Sequence, residues 1–274
     1  MKRILVPTDF SKHAEYALRV AAQIAKKNDG EIMLVHMLDL PNQNDDAVTA
    51  GSDIPEVMFF INKVHERFEE VKNSDFLDGI DVTEVVQFGK AWDGILKYST
   101  KQTVDLIVMG SHGASGFQEM FIGSNTEKVV RNSEVPVLVI KKEEPEFNIN
   151  NFVFASDFSD EIKAPFAKMV EFATMFDAHL HLVSINTPNN FRSTSVAKQQ
   201  LADFVANFNL SNFSTHIYNE INVEKGVLNF SKEVNADLLG MCTHGRKGLA
   251  HFFNGSISED LVNHSDRHIL TIKI

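Results

Sequence analysis

Cysteine is almost absent from this sequence, since Cys242 is the single one among 274 residues. One cysteine excludes an internal disulfide and any zinc site built from several cysteines, and it is typical of a reducing compartment. Long hydrophobic runs are also lacking, because no apolar stretch approaches the roughly 18–20 residues that cross a bilayer. The first residues, MKRILVPTDFS, contain too short an apolar segment for a signal peptide. We therefore expect a cytoplasmic protein that makes no membrane contact.

Basic residues are in the minority. The chain has 26 Lys and Arg against 37 Asp and Glu, which gives a formal net charge of −11. Nucleic-acid-binding proteins need a basic face, so we expect no nucleic-acid partner. The apolar fraction of 43% and the charged fraction of 23% are typical of a globular protein. A chain of this length suits two domains of about 140 residues each.

The sequence contains an internal repeat, which is the first pattern to look for in a chain of this length. ILVPTDFSKHAEYAL at 4–18 aligns with FVFASDFSDEIKAPF at 152–166, at an offset of 148 residues. GILKYSTKQTVDLIVMGSHG at 94–113 aligns with GVLNFSKEVNADLLGMCTHG at 226–245, at an offset of 132. The second offset continues without a gap to the end of each copy. The sequence therefore predicts two copies of one domain.

We place these copies at residues 1–143 and 149–274. Within each copy, apolar strands alternate with helical patterns, and the strands are continuously apolar rather than alternating. That pattern is typical of an α/β domain whose parallel sheet is covered by helices on both faces. We expect Asp9 or Ser11 to cap the first helix and Gly30 to end it. A further helix around 55–73 is expected to turn these residues inward: Val57, Phe60, Ile61, Val64 and Phe68.

A glycine-rich loop follows the fourth predicted strand, in the segment MGSHGASGFQEMFIGS at 109–124. In doubly wound sheets, ligands bind beyond the carboxyl ends of the strands, where the strand order reverses. The glycines permit positive φ and close backbone approach, and Gly123 with Ser124 begins a helix whose free N–H groups favour an anion. Phosphate is the expected ligand, with hydroxyl donors from Ser124 and Thr126. Asp9 would hold a ribose hydroxyl, a base edge or a metal. The alternative is that the glycines only form turns and Ser124 is an N-cap.

Three segments resemble the universal stress protein family: VPTDFS at the start, GSHG followed nine residues later by GS, and VPVLVIK at the end of the first copy. The nucleotide-binding members of that family carry Gly-x2-Gly-x9-Gly-Ser/Thr, which Gly110, Gly113, Gly123 and Ser124 fit. The resemblance implies two tandem, five-stranded, doubly wound domains of the adenine nucleotide alpha-hydrolase-like fold, with strand order 3-2-1-4-5. It also implies an internal pseudo-dimer through the last strands of the two copies. A homodimer of whole chains is left open.

The same resemblance implies a site for ATP, with or without Mg²⁺. Asp9 and its neighbours would line the nucleoside, Met37 would touch adenine, and the glycine loop would hold ribose and phosphates. The residues expected at this first site are Pro7, Thr8, Asp9, Met37, Met109, Gly110, His112, Gly113, Gly123, Ser124, Asn125 and Thr126. The second copy departs from the motif, since Cys242 replaces its first glycine. Its expected residues are Ser156, Asp157, Ile185, Gly245, Arg246, Gly255, Ser256 and Ser258.

Some residues have two readings. His112 and its counterpart His244 suggest catalysis, but the sequence shows no residue at a recognisable spacing that could position either histidine as a base. This favours a role in loop stability or ligand packing. His264 and His268 have the spacing of metal ligands only if one helix continues through both, and we expect no metal there. Cys242 is either a redox sensor or a small apolar filler, and the second reading is favoured.

The function that follows is a stress-response protein that binds ATP or a related adenine nucleotide as a regulatory ligand, with slow or no hydrolysis. We assign no catalytic residue. A genuine ATPase is one alternative, and it would need a positioned base and a Mg²⁺ carboxylate besides Asp9. The other alternative is a nucleotide-free dimerisation scaffold, which gives no reason for the intact first motif.

Overall fold

A computed structural model describes residues 1–39, 54–113, 122–243 and 261–274. The strands are β1 Arg3–Pro7, β2 Glu31–Leu38, β3 Asp81–Phe88, β4 Leu106–Gly110, β5 Val137–Ile140, β6 Asn151–Ala155, β7 His179–Asn186, β8 Phe213–Asn219, β9 Leu238–Thr243 and β10 His268–Lys273. The helices are α1 Lys12–Asn28, α2 Ile54–Lys72, α3 Ala91–Lys101, α4 Ser124–Asn132, α5 Lys163–Met175, α6 Thr194–Val205 and α7 Val223–Glu233. Residues 261–264 are also helical.

All strands join one 10-stranded sheet in the order β3-β2-β1-β4-β5-β10-β9-β6-β7-β8. Each half of this order reads 3-2-1-4-5, and the strand pairs within each half are parallel. The predicted fold class and strand order are therefore confirmed.

The two halves meet at β5 and β10, which pair antiparallel. Leu138 faces Leu270 in the register, and both are fully buried. The Thr271 hydroxyl donates to the Val137 carbonyl across this pair at 3.4 Å. Because each strand would otherwise leave an open apolar edge, the pairing satisfies both edges within one chain. The expected internal pseudo-dimer is thus present in the fold.

Two layers of helices cover the sheet. Helices α1, α2, α5 and α6 contribute to a core on one face, and α3, α4 and α7 contribute to a core on the other. Each core contains residues of both halves, so the halves share their hydrophobic interior. In the part of the chain that the structure describes, no helix is both long and apolar enough to cross a membrane.

The ends of α1 differ in one respect from the prediction. Ser11 is the N-cap, as expected, and its side chain accepts from the Ala14 amide at 3.3 Å. At the other end, Asp29 rather than Gly30 adopts the left-handed conformation, with φ of 50°. Gly30 is needed for another reason, because a Cβ there would lie 2.7 Å from the Lys2 carbonyl oxygen. Gly30, which was predicted to end the helix, is therefore a position where the chain around Lys2 packs closely.

Helix α2 has a narrower buried face than expected. Val64 and Phe68 are buried in the core, as predicted. Phe60, predicted to face inward, is 42% exposed and lies beside the exposed Phe59, so that part of the prediction is wrong. The apolar run in this part of the helix is too wide for one face to bury.

Candidate functional site

A cavity of about 320 Å³ opens at the carboxyl ends of the first, second and fourth strands. The strand order reverses between β1 and β4, so the cavity lies at the switch point of the first sheet half. Every residue that the sequence predicted for the first site lines this cavity. The wall also includes residues that the sequence did not predict: Ala14, Val35, His36, Ala91 and Ile95.

A tight turn after β1 presents Asp9 to the cavity. Phe10 adopts the left-handed conformation, with φ of 61°, which costs about 1–2 kcal/mol for a non-glycine residue. Two hydrogen bonds offset this cost: the Phe10 amide donates to Thr8 Oγ1 at 3.0 Å, and the Ser11 amide donates to Asp9 Oδ1 at 3.0 Å. One carboxylate oxygen of Asp9 thus fixes the turn, and Oδ2 lies on the loop side of it.

The glycines after β4 serve close approach. A Cβ on Gly113 would lie 2.5 Å from Asp9 Oδ2, and a Cβ on Gly110 would lie 2.6 Å from the His13 carbonyl oxygen. Of the two properties that the sequence suggested for these glycines, positive φ and close backbone approach, the structure uses the second; positive φ within the described residues occurs at the glycines Gly79 and Gly89. The missing Cβ at Gly113 admits the carboxylate, and the missing Cβ at Gly110 admits helix α1.

Helix α4 begins at the cavity with an N-cap that has no side chain. That N-cap is Gly123, not Ser124, and it makes no side-chain capping bond. Its amide donates to the Ser111 carbonyl at 2.7 Å, and the helical ladder begins with the Glu127 amide donating to the Gly123 carbonyl at 3.1 Å. The amides between these two belong to the first helical turn, where N–H groups and the helix dipole favour an anion.

The hydroxyl groups of this first turn divide between two tasks. Ser124 is exposed beside the cavity. Thr126 is buried, and its hydroxyl donates to the Gly110 carbonyl at 2.9 Å. We expected both hydroxyls to donate to a ligand, but the Thr126 hydrogen is already used to brace the end of β4 against α4.

The opposite wall of the cavity is apolar. Met37, Ala91, Ile95 and Met109 form it together with Val35. Helix α3 can approach the Met37 side chain because Gly94 has no Cβ; a Cβ there would overlap the methyl group of Met37. The sequence signals for this wall were the spacing of four between Ala91 and Ile95 and the glycine between them. Such an apolar wall suits an aromatic ring.

Two histidines line the cavity. His36 Nδ1 lies 2.8 Å from the Thr8 carbonyl oxygen, and its ring stacks on Phe10 with centroids 4.9 Å apart. His112 Nδ1 lies 2.9 Å from Oγ of Ser111, which is fully buried. Both rings therefore support the turns that shape the site. His36 was missed because a histidine near the end of a buried strand has no distinguishing pattern in the sequence.

The second half repeats the turn. Phe158 has φ of 56°, its amide donates to Ser156 Oγ at 3.1 Å, and the Ser159 amide donates to Asp157 Oδ1 at 3.1 Å. Ile185, at the position of Met37, is buried beneath helix α7. The remaining residues predicted for the second site lie outside the described residues: Gly245, Arg246, Gly255, Ser256 and Ser258.

The surroundings of the second turn differ from those of the first. Gln200 Nε2 donates to the Asp157 carbonyl at 2.7 Å, and the Arg192 guanidinium donates to Gln200 Oε1. Cys242 is buried, and burial raises the pKa of its thiol well above the ordinary value. This favours the reading of Cys242 as a filler, because a reactive cysteine needs a lowered pKa.

The two histidines with metal-ligand spacing are not on one helix. His264 lies in the helical segment 261–264, and its Nδ1 is 2.5 Å from Glu224 Oε1. His268 begins β10, and its Nε2 is 3.3 Å from Glu144 Oε1. Each ring thus has its own carboxylate partner, and the two serve separate contacts.

Comparison with known proteins places this geometry in a family. The family model described as the universal stress protein family matches twice, over residues 1–141 and 148–273. Universal stress protein MJ0577 of Methanocaldococcus jannaschii is 32% identical over 160 residues, which are 52% of this chain and 95% of that protein.

Solved structures match along the whole chain. A universal stress protein from Archaeoglobus fulgidus is 22% identical with a TM-score of 0.66, and the match covers 99% of this chain and 96% of that one. A putative universal stress protein from Pseudomonas aeruginosa is 15% identical with a TM-score of 0.67, over 100% and 93% of the two chains. At these identities the two structures show a shared fold.

Proposed function

The chain belongs to the universal stress protein family, and from that premise we propose that it binds ATP at the first site as a regulatory ligand. The observation that carries the proposal is the meeting of three features around one cavity. These are a carboxylate fixed by a strained turn, an apolar wall, and a helix that begins without a capping side chain. They correspond in chemistry to ribose, adenine and phosphate.

In this proposal the apolar wall of Met37, Ala91 and Ile95 packs against adenine. Asp9 Oδ2 accepts from a ribose hydroxyl. Asp9 Oδ1 is already bonded to the Ser11 amide. The phosphates take the first-turn amides of α4 and the exposed Ser124 hydroxyl. Any Mg²⁺ would accompany the phosphates.

The proposal includes slow or no hydrolysis. Among the described residues that line the cavity, the titratable side chains are Asp9, His36 and His112. Each makes a contact that shapes a turn. Those described lining residues include no Lys or Arg to stabilise the charge that develops during phosphoryl transfer. Ground-state binding alone does not accelerate the reaction. Turnover near the ordinary enzyme median of about 10 s⁻¹ would contradict this and favour a genuine ATPase.

Calorimetric titration with ATP tests the site. We expect the double variant Gly113→Val with Ser124→Ala to lose measurable affinity, because the valine side chain displaces Asp9 and the alanine removes a phosphate donor. The matched control is Gly245→Val with Ser256→Ala, the same changes at the equivalent positions of the second copy. Unchanged affinity in the first double variant would refute this site, whereas a wild type that binds no ATP would favour the nucleotide-free scaffold.

A further inference from the structure

One hydrogen bond joins the second domain to the first site. The Ile122 amide donates to Asn263 Oδ1 at 3.0 Å. Ile122 directly precedes Gly123, the N-cap of α4, and its side chain is buried. Asn263 belongs to the helical segment 261–264, on the other side of the β5–β10 pair. The acceptor that holds the entry to the anion-binding helix is therefore a side chain of the other domain.

This bond fixes the backbone at the point that sets the direction of α4. The next amide along, that of Gly123, donates to the Ser111 carbonyl at 2.7 Å. Two successive amides are thus held by one acceptor from each domain. A buried N–H that loses its acceptor is costly, so without Asn263 the chain would turn the Ile122 amide toward another partner. Such a rotation would also turn the first-turn amides of α4.

The segment that carries Asn263 is firmly placed. Leu261 and Val262 are almost fully buried, and the Ser265 amide donates to the Leu261 carbonyl at 3.0 Å. The Val262 carbonyl accepts from the ammonium group of Lys141, which lies just after β5 in the first domain. Two hydrogen bonds donated by the first domain, from the Ile122 amide and from Lys141, therefore hold this segment beside the first site.

The repeat explains what this segment is. At the offset of 132, residues 261–264 correspond to 129–132, the last turns of α4. The helix that touches the first site is thus the counterpart of α4 in the second domain. Arg131 occupies the position of Asn263 in the first domain, and a guanidinium has no acceptor atom. The first domain therefore lacks, at this position, the acceptor needed to hold the second copy's loop in return.

We propose that Asn263 is a positioning residue through which the second domain sets the affinity of the first site for phosphate groups. The inference rests on the proposed function, since it concerns the phosphate end of the same site. Asn263 acts through the Ile122 amide and does not itself touch the ligand. Any change that shifts the segment 261–264 would then alter the affinity of the first site for phosphate groups.

The experiment uses the full chain with Asn263→Leu, which keeps the approximate size of the side chain and removes the acceptor. Calorimetry measures the affinity for ATP and for adenosine separately. We expect ATP affinity to fall about tenfold, the effect of one lost hydrogen bond, and adenosine affinity to stay unchanged. The matched control is Asn132→Leu, since the Asn132 amide bonds within α4, to the Lys128 carbonyl at 2.7 Å.

Hydrogen exchange at the Ile122 amide gives a readout without any ligand. We expect this amide to be protected in the wild type and to exchange faster in Asn263→Leu. Faster exchange supports the contact even if the wild type binds no ATP. The absence of ATP binding would refute only the proposed function. If the wild type binds ATP and Asn263→Leu binds it equally well, the positioning role is wrong. Equal losses for ATP and adenosine, with a lower melting temperature, would indicate a merely structural role and overturn the inference.

Discussion

The two domains share the turn after their first strand but differ after their fourth. Phe10 and Phe158 both adopt the left-handed conformation with the same pair of supporting hydrogen bonds. By contrast, Gly110 packs against the His13 carbonyl, whereas the equivalent position holds Cys242. The common turn belongs to the fold itself. The domains diverged at the end of the fourth strand, where the first domain has Gly110 and the second has Cys242.

The first helices of the two domains also begin differently. Helix α1 starts at Lys12, directly after its N-cap Ser11. In the second domain a 3₁₀ turn over Asp160–Ile162 comes before α5, which starts at Lys163. A Cβ at Gly110 would lie 2.6 Å from the His13 oxygen, so a side chain there would require the start of α1 to shift. The second domain accommodates Cys242 with a different helix start.

The largest expected difference between the domains concerns their paired aspartates. Asp9→Ala removes the proposed ribose acceptor and a bond to the Ser11 amide, so we expect ATP affinity to fall on the order of tenfold to a hundredfold. Asp157→Ala removes the equivalent bond to Ser159 but leaves the first site intact. Calorimetry on both variants measures the comparison. An equal loss of ATP affinity in the two would mean that the domains bind nucleotide alike.

Exchanging the residues at the end of the fourth strand tests the packing difference. Gly110→Cys forces a Cβ onto the His13 backbone, and overpacking of this kind costs about 1–3 kcal/mol. Cys242→Gly loses a small buried side chain and should cost about 1 kcal/mol. Denaturant unfolding gives both free energies of unfolding. A larger loss for Cys242→Gly would show that α1 yields easily and that Gly110 is not a packing requirement.

The sequence predicted the fold well because its signals are local or repeated. Continuous apolar strands, the two offsets and the glycine loop are all readable without knowing which elements touch. The cavity wall from α3 was missed, since the meeting of Ala91, Ile95 and Met37 around one cavity depends on how α3 lies across the sheet. The Thr126 hydroxyl was misassigned for the same reason. Its acceptor, the Gly110 carbonyl, comes into reach only when α4 packs beside β4.

Glycine was the residue whose role the sequence predicted least well. Gly30 was interpreted as the end of a helix, and Gly110 and Gly113 as positions of positive φ and close backbone approach; in the structure each makes room for an atom from another element of the protein. Sequence patterns report the flexibility of glycine without reporting what approaches it. Only the packed structure distinguishes a turn from a close contact.

We expect a histidine cluster to make the second domain lose stability in acid. His179, His181 and His216 surround Ser214, whose Oγ lies 2.7 Å from His216 Nε2 and 3.2 Å from His181 Nδ1. Burial, together with the neighbouring histidines, lowers the pKa of His181 to about 4, and burial lowers the pKa of His216 as well. The unfolded chain therefore binds more protons than the folded chain between about pH 6.5 and pH 4.

Stability should accordingly fall as the pH drops through that window. Because the histidines are only partly buried, we expect a loss of about 1 kcal/mol after solvent screening. Unfolding measured at pH 7 and pH 5 gives the loss, and His181→Met reduces it by installing the residue found at the equivalent first-domain position, Met33. An unchanged pH dependence in this variant would remove His181 as the cause.

The smallest expected effect distinguishes the two readings of Cys242. Alkylation requires the thiolate, and the pKa of this thiol is raised first by burial and then by the negative charge of Asp157. A redox sensor at the mouth of a second pocket would have the opposite properties, namely exposure and a lowered pKa. We therefore expect no labelling of the native protein by iodoacetamide at pH 7.5 and full labelling in denaturant.

A variant with Ser195→Cys, at an exposed position of α6, provides the matched reactive thiol. Labelling of Cys242 at the rate of that exposed thiol would show that the second domain opens readily around its fourth strand. The divergence from Gly110 would then have produced a reactive site instead of a packed one.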